Sequence, residues 1–215
     1  WLTAPHPGFA ELYYTSGSLA ASLEVLASIG CMDSQLPGFS RLATSIPAKD
    51  HYGLYLTRTG FSAEKKKVAQ RLIEEEQIDI EQRAGIYLAF DLKHMAEVTP
   101  DDSTAAYISR LKDIHPGFSP NSLRIAQFLI EKASLLAKQT ERVNSDDSVK
   151  KIVEQCISAD NLTLLYLFTR ADQHLKHSPS KEPEFWLDMS ELYKKAIGFF
   201  KTNRQERARI DMLEN

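Results

Sequence analysis

The sequence predicts an all-α fold, a bundle of amphipathic helices around a hydrophobic core. Apolar residues recur every three or four positions in one segment after another, which is the spacing of a single helix face. The sequence contains no clean two-residue alternation bounded by hairpin turns, the pattern that indicates strands. With 215 residues, of which 43% are hydrophobic, the chain is long and apolar enough to bury a substantial core.

The first half of the chain contains four predicted helices. The helix at 16–30 carries leucines on one face and ends at Gly30, a residue suited to a helix C-cap. The helix at 62–76 begins at an N-cap serine, and its KKK and EEE runs are predicted to form a solvated face. A helix at 78–97 and a short one at 103–112 follow, with proline-containing turns on either side of the short one.

The second half contains four more predicted helices. Those at 121–139 and 146–157 are amphipathic, whereas "NLTLLYLFTRADQH" (161–174) is apolar nearly all round, as is typical of a helix at the centre of a bundle. An aromatic-rich helix at 184–200 precedes polar residues that are expected to fray. The predicted division of the chain is a helical segment at 1–48, a helical domain at 49–201 and a polar tail at 202–215.

Charge and apolar run length argue against two classes of partner. Lys plus Arg is 26 and Asp plus Glu is 29, so a net charge of −3 argues against a protein built mainly to bind nucleic acid or an anionic membrane. The longest apolar run, 162–168, is far shorter than the roughly 20 residues of a membrane-spanning helix. No signal-peptide pattern opens the sequence, so a cytoplasmic location is expected. Trp1 in place of a starting methionine indicates a piece of a longer protein.

Two carboxylates occupy helix positions that should face the core. Asp91 follows Leu88 and Ala84 at helical spacing, and Asp172 follows Phe168 on the predicted central helix. A buried carboxylate must be paired, protonated or bound to metal, because burying an ion alone costs many kcal/mol. If the two meet, they need a cation between them or a shared proton. Alternatively, each accepts hydrogen bonds from a nearby loop or lies at the rim of the core.

Other motifs with a known chemistry are missing from the sequence. The two cysteines form no CxxC pair, and the six histidines include no H-E-x-x-H. Gly-rich phosphate loops and G-x-S-x-G elbows are likewise absent. Each histidine, taken alone, is more typical of a surface or hydrogen-bonded residue than of a metal ligand.

The order of the segments resembles a known family. "FAELYYTSGSLAASLEVLASIGCMDSQLPGFSRL" (9–42) is similar to the region before the HD domain in bacterial bifunctional protein-PII uridylyltransferase/uridylyl-removing enzymes. "DHYGLYLTRTGFSAEKKKV" (50–68) resembles the start of that HD domain, and "IYLAFDLKH" (86–94) occupies the place of the HD dipeptide. "HPGFSPNSLRIAQFLIEK" (115–132) and "LTLLYLFTRADQH" (162–174) resemble later helices. The resemblance spans nearly the whole chain and implies an HD-type helical domain from a nucleotidyltransferase and phosphohydrolase family.

Carried over through this resemblance, the metal site of the family is incomplete. The first histidine of the family falls on Phe61, the histidine of the HD pair falls on Phe90, and a later histidine falls on Ala133. These replacements imply a degenerate site.

Other positions of the family site are retained. Its two aspartates survive as Asp91 and Asp172, and His115 keeps its family role. His94, beside Lys93, falls where the family has a lysine. Through the resemblance, Asp91 is predicted to persist as a buried hydrogen-bond acceptor, not as a metal ligand.

The resemblance implies a module without catalysis. HD enzymes use bound metal to activate water for phosphoester hydrolysis, and Mn²⁺, Fe²⁺ or Zn²⁺ depend on imidazole for much of their affinity. With phenylalanine at two imidazole positions, no resident cofactor is expected, beyond weak binding of Mg²⁺ or Mn²⁺ by Asp91, His115 and Asp172.

We therefore expect a degenerate, regulatory or structural module of a uridylyltransferase-like protein in nitrogen-regulation signal transduction. Its expected partners are other domains of the same longer protein, with a small signalling protein or a nucleotide as further candidates. The alternative is a metal-dependent phosphohydrolase, or uridylyl-removing domain, with a rearranged site formed by His94, His115, Asp91 and Asp172. An unrelated helical interaction domain is the third interpretation.

Overall fold

Helices make up nearly all of the described structure, which confirms the all-α prediction. The computed structural model describes residues 5–6, 8–15, 19–37, 39, 48–49, 55–56, 58–98, 104–140 and 146–213. Its helices are α1 (Phe9–Thr15), α2 (Leu19–Ser28), α3 (Met32–Gln35), α4 (Arg58–Glu74), α5 (Ile80–Val98), α6 (Thr104–Ile114), α7 (Pro120–Glu131), α8 (Leu135–Thr140), α9 (Asp146–Cys156), α10 (Ala159–His174) and α11 (Pro183–Leu213). Two short strands, β1 (Ala48–Lys49) and β2 (Tyr55–Leu56), pair antiparallel, with Ala48 opposite Leu56.

Several elements differ from the sequence prediction. Helices α1 and α3 and the short β1–β2 pair lie outside the predicted elements. The predicted helix at 121–139 is interrupted between Glu131 and Leu135, where a turn separates α7 from α8. The tail that was expected to fray is instead the end of α11, which continues to Leu213. Its Arg, Gln, Glu and Ala residues are good helix formers, so a polar composition did not indicate the end of the helix.

Helices α5 and α7 pack closely because a glycine lies at their crossing. A Cβ atom built on Gly85 of α5 would lie 2.6 Å from the side chain of Ile125 on α7. Hydrogen bonds fix the same contact, since Ser122 Oγ donates to the Glu81 carbonyl at 2.9 Å and Asn121 Nδ2 donates to the Glu81 carboxylate at 2.8 Å. The start of α7 is also capped, because Ser119 Oγ accepts the Ser122 backbone N–H.

Although α5 has the longer unbroken run of buried residues, Ala84–Leu92, α10 is buried nearly all round, as its apolar pattern predicts. Its residues from Leu164 to Thr169 are all buried, and they contribute to one hydrophobic cluster with α4, α5, α7 and α11. Phe9 and Tyr13 of α1 and Leu36, just after α3, belong to the same cluster. The N-terminal helices therefore pack onto the core that α5 and α10 form.

Among the described residues, no helix combines the length and the apolar character that crossing a lipid bilayer requires.

Two helix ends adopt left-handed backbone conformations, and they offer a matched test of backbone strain. Ile157, which follows α9, has φ 67° and is 80% exposed, while Gly30 has φ 73° with open space around its Cα. A left-handed conformation disfavours a side chain with a Cβ by about 1–2 kcal/mol. We expect Ile157→Gly to raise the free energy of unfolding by about 1 kcal/mol and Gly30→Ala to lower it by about the same amount. Urea denaturation measures both, and changes of the same sign would contradict this account.

Candidate functional site

Two of the three consecutive lysines of α4 are buried, so the prediction of a solvated KKK face is wrong. Lys65 is 3% exposed and Lys66 is 4% exposed. Lys67 is the solvated member, and it pairs with Glu64 at the surface. Successive helical residues point about 100° apart, so three in a row cannot share one face. The two buried ammonium groups are tolerated because each one meets a buried carboxylate.

The carboxylate of Asp91 is held by two donors from different parts of the chain. Lys66 Nζ lies 2.5 Å from Asp91 Oδ1, and the Tyr13 hydroxyl donates to Asp91 Oδ2 at 2.7 Å. Asp91 is 3% exposed, so these contacts form inside the core. The aspartate on α5 thereby connects α4 with α1.

The carboxylate of Asp172 is surrounded by ammonium groups. Lys65 Nζ donates to Oδ1 at 2.7 Å, and Lys93 Nζ donates to Oδ2 at 2.7 Å. The more exposed Lys176 lies 3.9 Å from Oδ2. Asp172 itself is fully buried. We call Asp91, Asp172, Lys65, Lys66 and Lys93 the lysine–aspartate cluster.

Burial and charge shift the pKa values of this cluster. Burial lowers the pKa of Lys65 to about 8, although the neighbouring Asp172 carboxylate opposes the shift. Burial likewise lowers the pKa of Lys66, against the influence of Asp91. Burial alone would raise the pKa of Asp172, but the attraction of Lys65 and Lys93 outweighs it and holds that pKa well below its usual range. Asp172 is therefore a carboxylate across the physiological pH range.

Phe90, where the resemblance places a family histidine, packs into the core. Phe90 is fully buried and stacks on Phe168 of α10, with ring centroids 4.6 Å apart and planes 19° from parallel. Phe61 lies in α4 and His94 lies in α5, but their side chains are outside the described atoms. Ala133 is half-buried in the turn between α7 and α8.

The contacts described for His115 are with residues outside the lysine–aspartate cluster. Its Nε2 atom lies 2.7 Å from the Gln35 carbonyl, so Nε2 carries the proton and donates. Its ring packs on Phe9 with centroids 4.9 Å apart. Within the described structure, the buried Nδ1 atom has no hydrogen-bond partner. Burial lowers the pKa of His115, which favours the neutral ring.

In the lysine–aspartate cluster, lysine ammonium groups neutralise the buried carboxylates. In the described part of the chain, no group of three or more His, Cys, Asp or Glu side chains is positioned to hold a metal ion. At both predicted aspartates, a lysine ammonium lies within hydrogen-bond distance of the carboxylate. A divalent cation could bind either carboxylate only by displacing a buried positive charge.

Comparison with protein-family models, curated proteins and solved structures finds no match to this chain.

Sequence reasoning missed Tyr13, Lys65, Lys66 and Lys93, although two signals were present. Lys65 precedes Val68, Ala69 and Leu72 by three, four and seven positions, so it belongs to the apolar stripe of its own helix. A carboxylate that is predicted to be buried also requires a nearby cation, and the consecutive lysines of α4 were candidates for that cation. Tyr13 gave no comparable signal, because its contact with Asp91 depends on tertiary packing.

The Lys66–Asp91 pair can be tested by removing its charges singly and together. Lys66→Met leaves the Asp91 carboxylate buried with only part of its compensation, and we expect it to lower the free energy of unfolding by about 3 kcal/mol. Adding Asp91→Asn removes the isolated charge and retains an acceptor for Tyr13, so the double variant should recover more than half of that loss. Urea denaturation provides the measurement.

Lys67→Met is the matched control for this cycle. Lys67 is adjacent in sequence, but its ion pair with Glu64 is exposed and should contribute less than about 1 kcal/mol. Equal losses for Lys66→Met and Lys67→Met, or a double variant no more stable than Lys66→Met, would contradict the buried pair.

His115 should make stability depend on pH in a defined window. Its pKa is 6.5 in the unfolded chain and lower in the folded chain, so the unfolded state binds the proton first as pH falls. The stabilisation that the neutral His115 ring contributes is complete above about pH 6.5, and it is lost as pH falls toward the pKa of His115 in the folded chain. Asp172 also favours the folded state at neutral pH, but this effect declines only below its ordinary pKa of 3.8.

We expect His115→Gln to be less stable at pH 7.5 by about 1–2 kcal/mol, because ring packing is lost. Its stability should nevertheless change less than that of the wild type between pH 7.5 and 5. Urea midpoints across this range, with constant denaturant slopes, provide the measurement. An unchanged pH dependence in His115→Gln would show that another group titrates in this window.

Proposed function

We propose that this chain is a non-catalytic, HD-like regulatory or structural module of a uridylyltransferase-like signalling protein. The observation that carries the proposal is the pairing of both candidate metal-site aspartates with buried lysines. Asp91 receives Lys66, and Asp172 receives Lys65 and Lys93, so the charge that a divalent metal would neutralise is already neutralised. The family assignment itself rests on the order of segments in the sequence.

Packing around the HD dipeptide position supports the same interpretation. Phe90 stacks on Phe168 inside the core, so a ring without a ligand atom fills the position where the resemblance places an imidazole. His115 uses Nε2 for the Gln35 carbonyl and packs its ring on Phe9, so its contacts serve the attachment of α3 and α1. These residues support a role in holding helices together.

A module of this kind would act by presenting a fixed surface to neighbouring domains. The ion pairs lie between α4, α5 and α10, and the hydrogen bond from Tyr13 adds α1 to the same group. Helices joined in this way can act as a rigid part of a larger protein. We therefore propose other domains of the same longer protein as its partners, with a nucleotidyltransferase domain encoded beside this chain as the expected neighbour.

The decisive measurement is metal content together with phosphoester hydrolysis. Purified protein is incubated with Mn²⁺ or Zn²⁺, passed through a desalting column and analysed for bound metal, and it is assayed on uridylylated protein and simple nucleotide esters. We expect well under about 0.1 metal ion per chain and no hydrolysis above background, because Phe61, Phe90 and Ala133 stand where the resemblance places imidazole ligands.

Two matched aspartate variants make this result interpretable. Asp91→Asn changes the cluster, whereas Asp188→Asn changes an exposed carboxylate on α11. Near-stoichiometric metal with turnover that Asp91→Asn abolishes and Asp188→Asn preserves would overturn the proposal and support the rearranged phosphohydrolase.

A further inference from the structure

A cleft of about 450 Å³ lies between α4, α10 and α11, outside the lysine–aspartate cluster. Each helix contributes side chains one turn apart, as with Tyr166, Arg170 and His174 along α10. Its volume falls within the usual range of small-molecule sites. The cleft is lined by Val68, Arg71, Leu72, Tyr166, Arg170 and Trp186, together with Glu75, His174, Pro179 and Ser190.

The inner part of the cleft is apolar and aromatic. Val68 and Tyr166 are buried, and the Tyr166 ring is held by a parallel stack on Tyr193, with centroids 4.0 Å apart and planes 6° from parallel. Trp186 forms an edge contact with Phe185 on the same helix. Flat, fixed rings of this kind suit a ligand with a flat apolar body.

Positive charge dominates the polar part of the cleft. Arg71 and Arg170 bring two guanidinium groups against the single carboxylate of Glu75. Among the described residues, neither arginine forms an ion pair. Arg170 lies 5.5 Å from the centroid of the Tyr166 ring, a contact that orients its guanidinium at the cleft. Planar guanidinium groups match carboxylates in shape as well as charge.

A hydrogen-bond donor of the same cleft wall lacks an acceptor. Trp186 Nε1 is buried and has no partner among the described residues. Because Nε1 itself is buried, a ligand in the cleft meets other atoms of the half-buried Trp186 ring and not its N–H.

We propose that this cleft binds a small aromatic monoanion, with an aryl carboxylate as the ligand class. The carboxylate is recognised by Arg71 and Arg170, and the ring lies in the apolar part of the cleft beside Trp186. This site goes beyond the proposed function and does not depend on it.

The probe is 2-naphthoate, followed by the indole N–H signals of the ¹⁵N-labelled protein. The chain has two tryptophans, so Trp1→Phe assigns the signal of Trp186. We expect this signal to shift in a saturable way, with a Kd of about 1 mM or tighter. The neutral analogue 2-naphthylmethanol should bind at least about tenfold more weakly, because it lacks the charge that the arginines recognise.

Variants test the two arginines separately from net charge. Arg71→Gln with Arg170→Gln should weaken naphthoate binding at least about tenfold, and Arg71→Gln alone should weaken it measurably if the double variant is unstable. Lys194→Gln with Lys195→Gln removes the same charge from exposed positions of α11 and should leave the affinity within about twofold. Non-saturable shifts, equal binding of the neutral analogue, or unchanged affinity in Arg71→Gln and the double arginine variant would each overturn the proposal.

Discussion

The buried ion pairs between α4 and its two neighbours constrain the rest of the core. Lys65 and Lys66 are consecutive, and their side chains diverge enough to reach Asp172 on α10 and Asp91 on α5. Each ammonium is out of water, so it has to meet a carboxylate wherever α4 packs. A rotation or a one-residue shift of α4 would break both pairs at once. The relative position of three helices is therefore fixed by charge as well as by apolar packing, which tolerates sliding more readily.

Polar contacts extend this constraint to the N-terminal helices. Tyr13 donates to the same carboxylate that Lys66 compensates, and burial together with the charge of Asp91 raises the pKa of the Tyr13 hydroxyl well above its usual value. The neighbouring Tyr14 hydroxyl accepts the Ser119 backbone N–H at 2.7 Å, which connects α1 with the cap of α7. His115 makes the corresponding link to α3 through the Gln35 carbonyl. Specific hydrogen bonds thus accompany apolar burial where α1 and α3 meet the bundle.

How far the sequence predicts this structure depends on the kind of information each feature needs. Helix periodicity predicts most elements, and the all-round apolar pattern of 161–174 correctly indicates a helix buried nearly all round, although α5 is buried over a longer unbroken run. Asp91 and Asp172 were expected to face the core, and both are buried there. Their lysine partners were harder to predict. A run of lysines is typical of a solvated face, and only its position relative to the apolar stripe of α4 indicates that Lys65 is buried. The break after Glu131 depends on local hydrogen bonding that composition does not encode, whereas the extension of α11 follows from helix-forming residues that are also polar.

The cost of breaking a buried ion pair bears on why the aspartates remain in the core. Hydrophobic residues of similar volume often replace a buried pair without loss, whereas removal of one partner leaves a costly charge. Substitutions at Asp91, Asp172, Lys65 or Lys66 are therefore unfavourable singly, even where joint replacement would be neutral. Under the proposed function, lysines that compensate the carboxylates of a former metal site would hold those aspartates in place after catalysis is lost. A tethered ammonium also neutralises the carboxylate independently of any metal supply, which would suit the structural module proposed above.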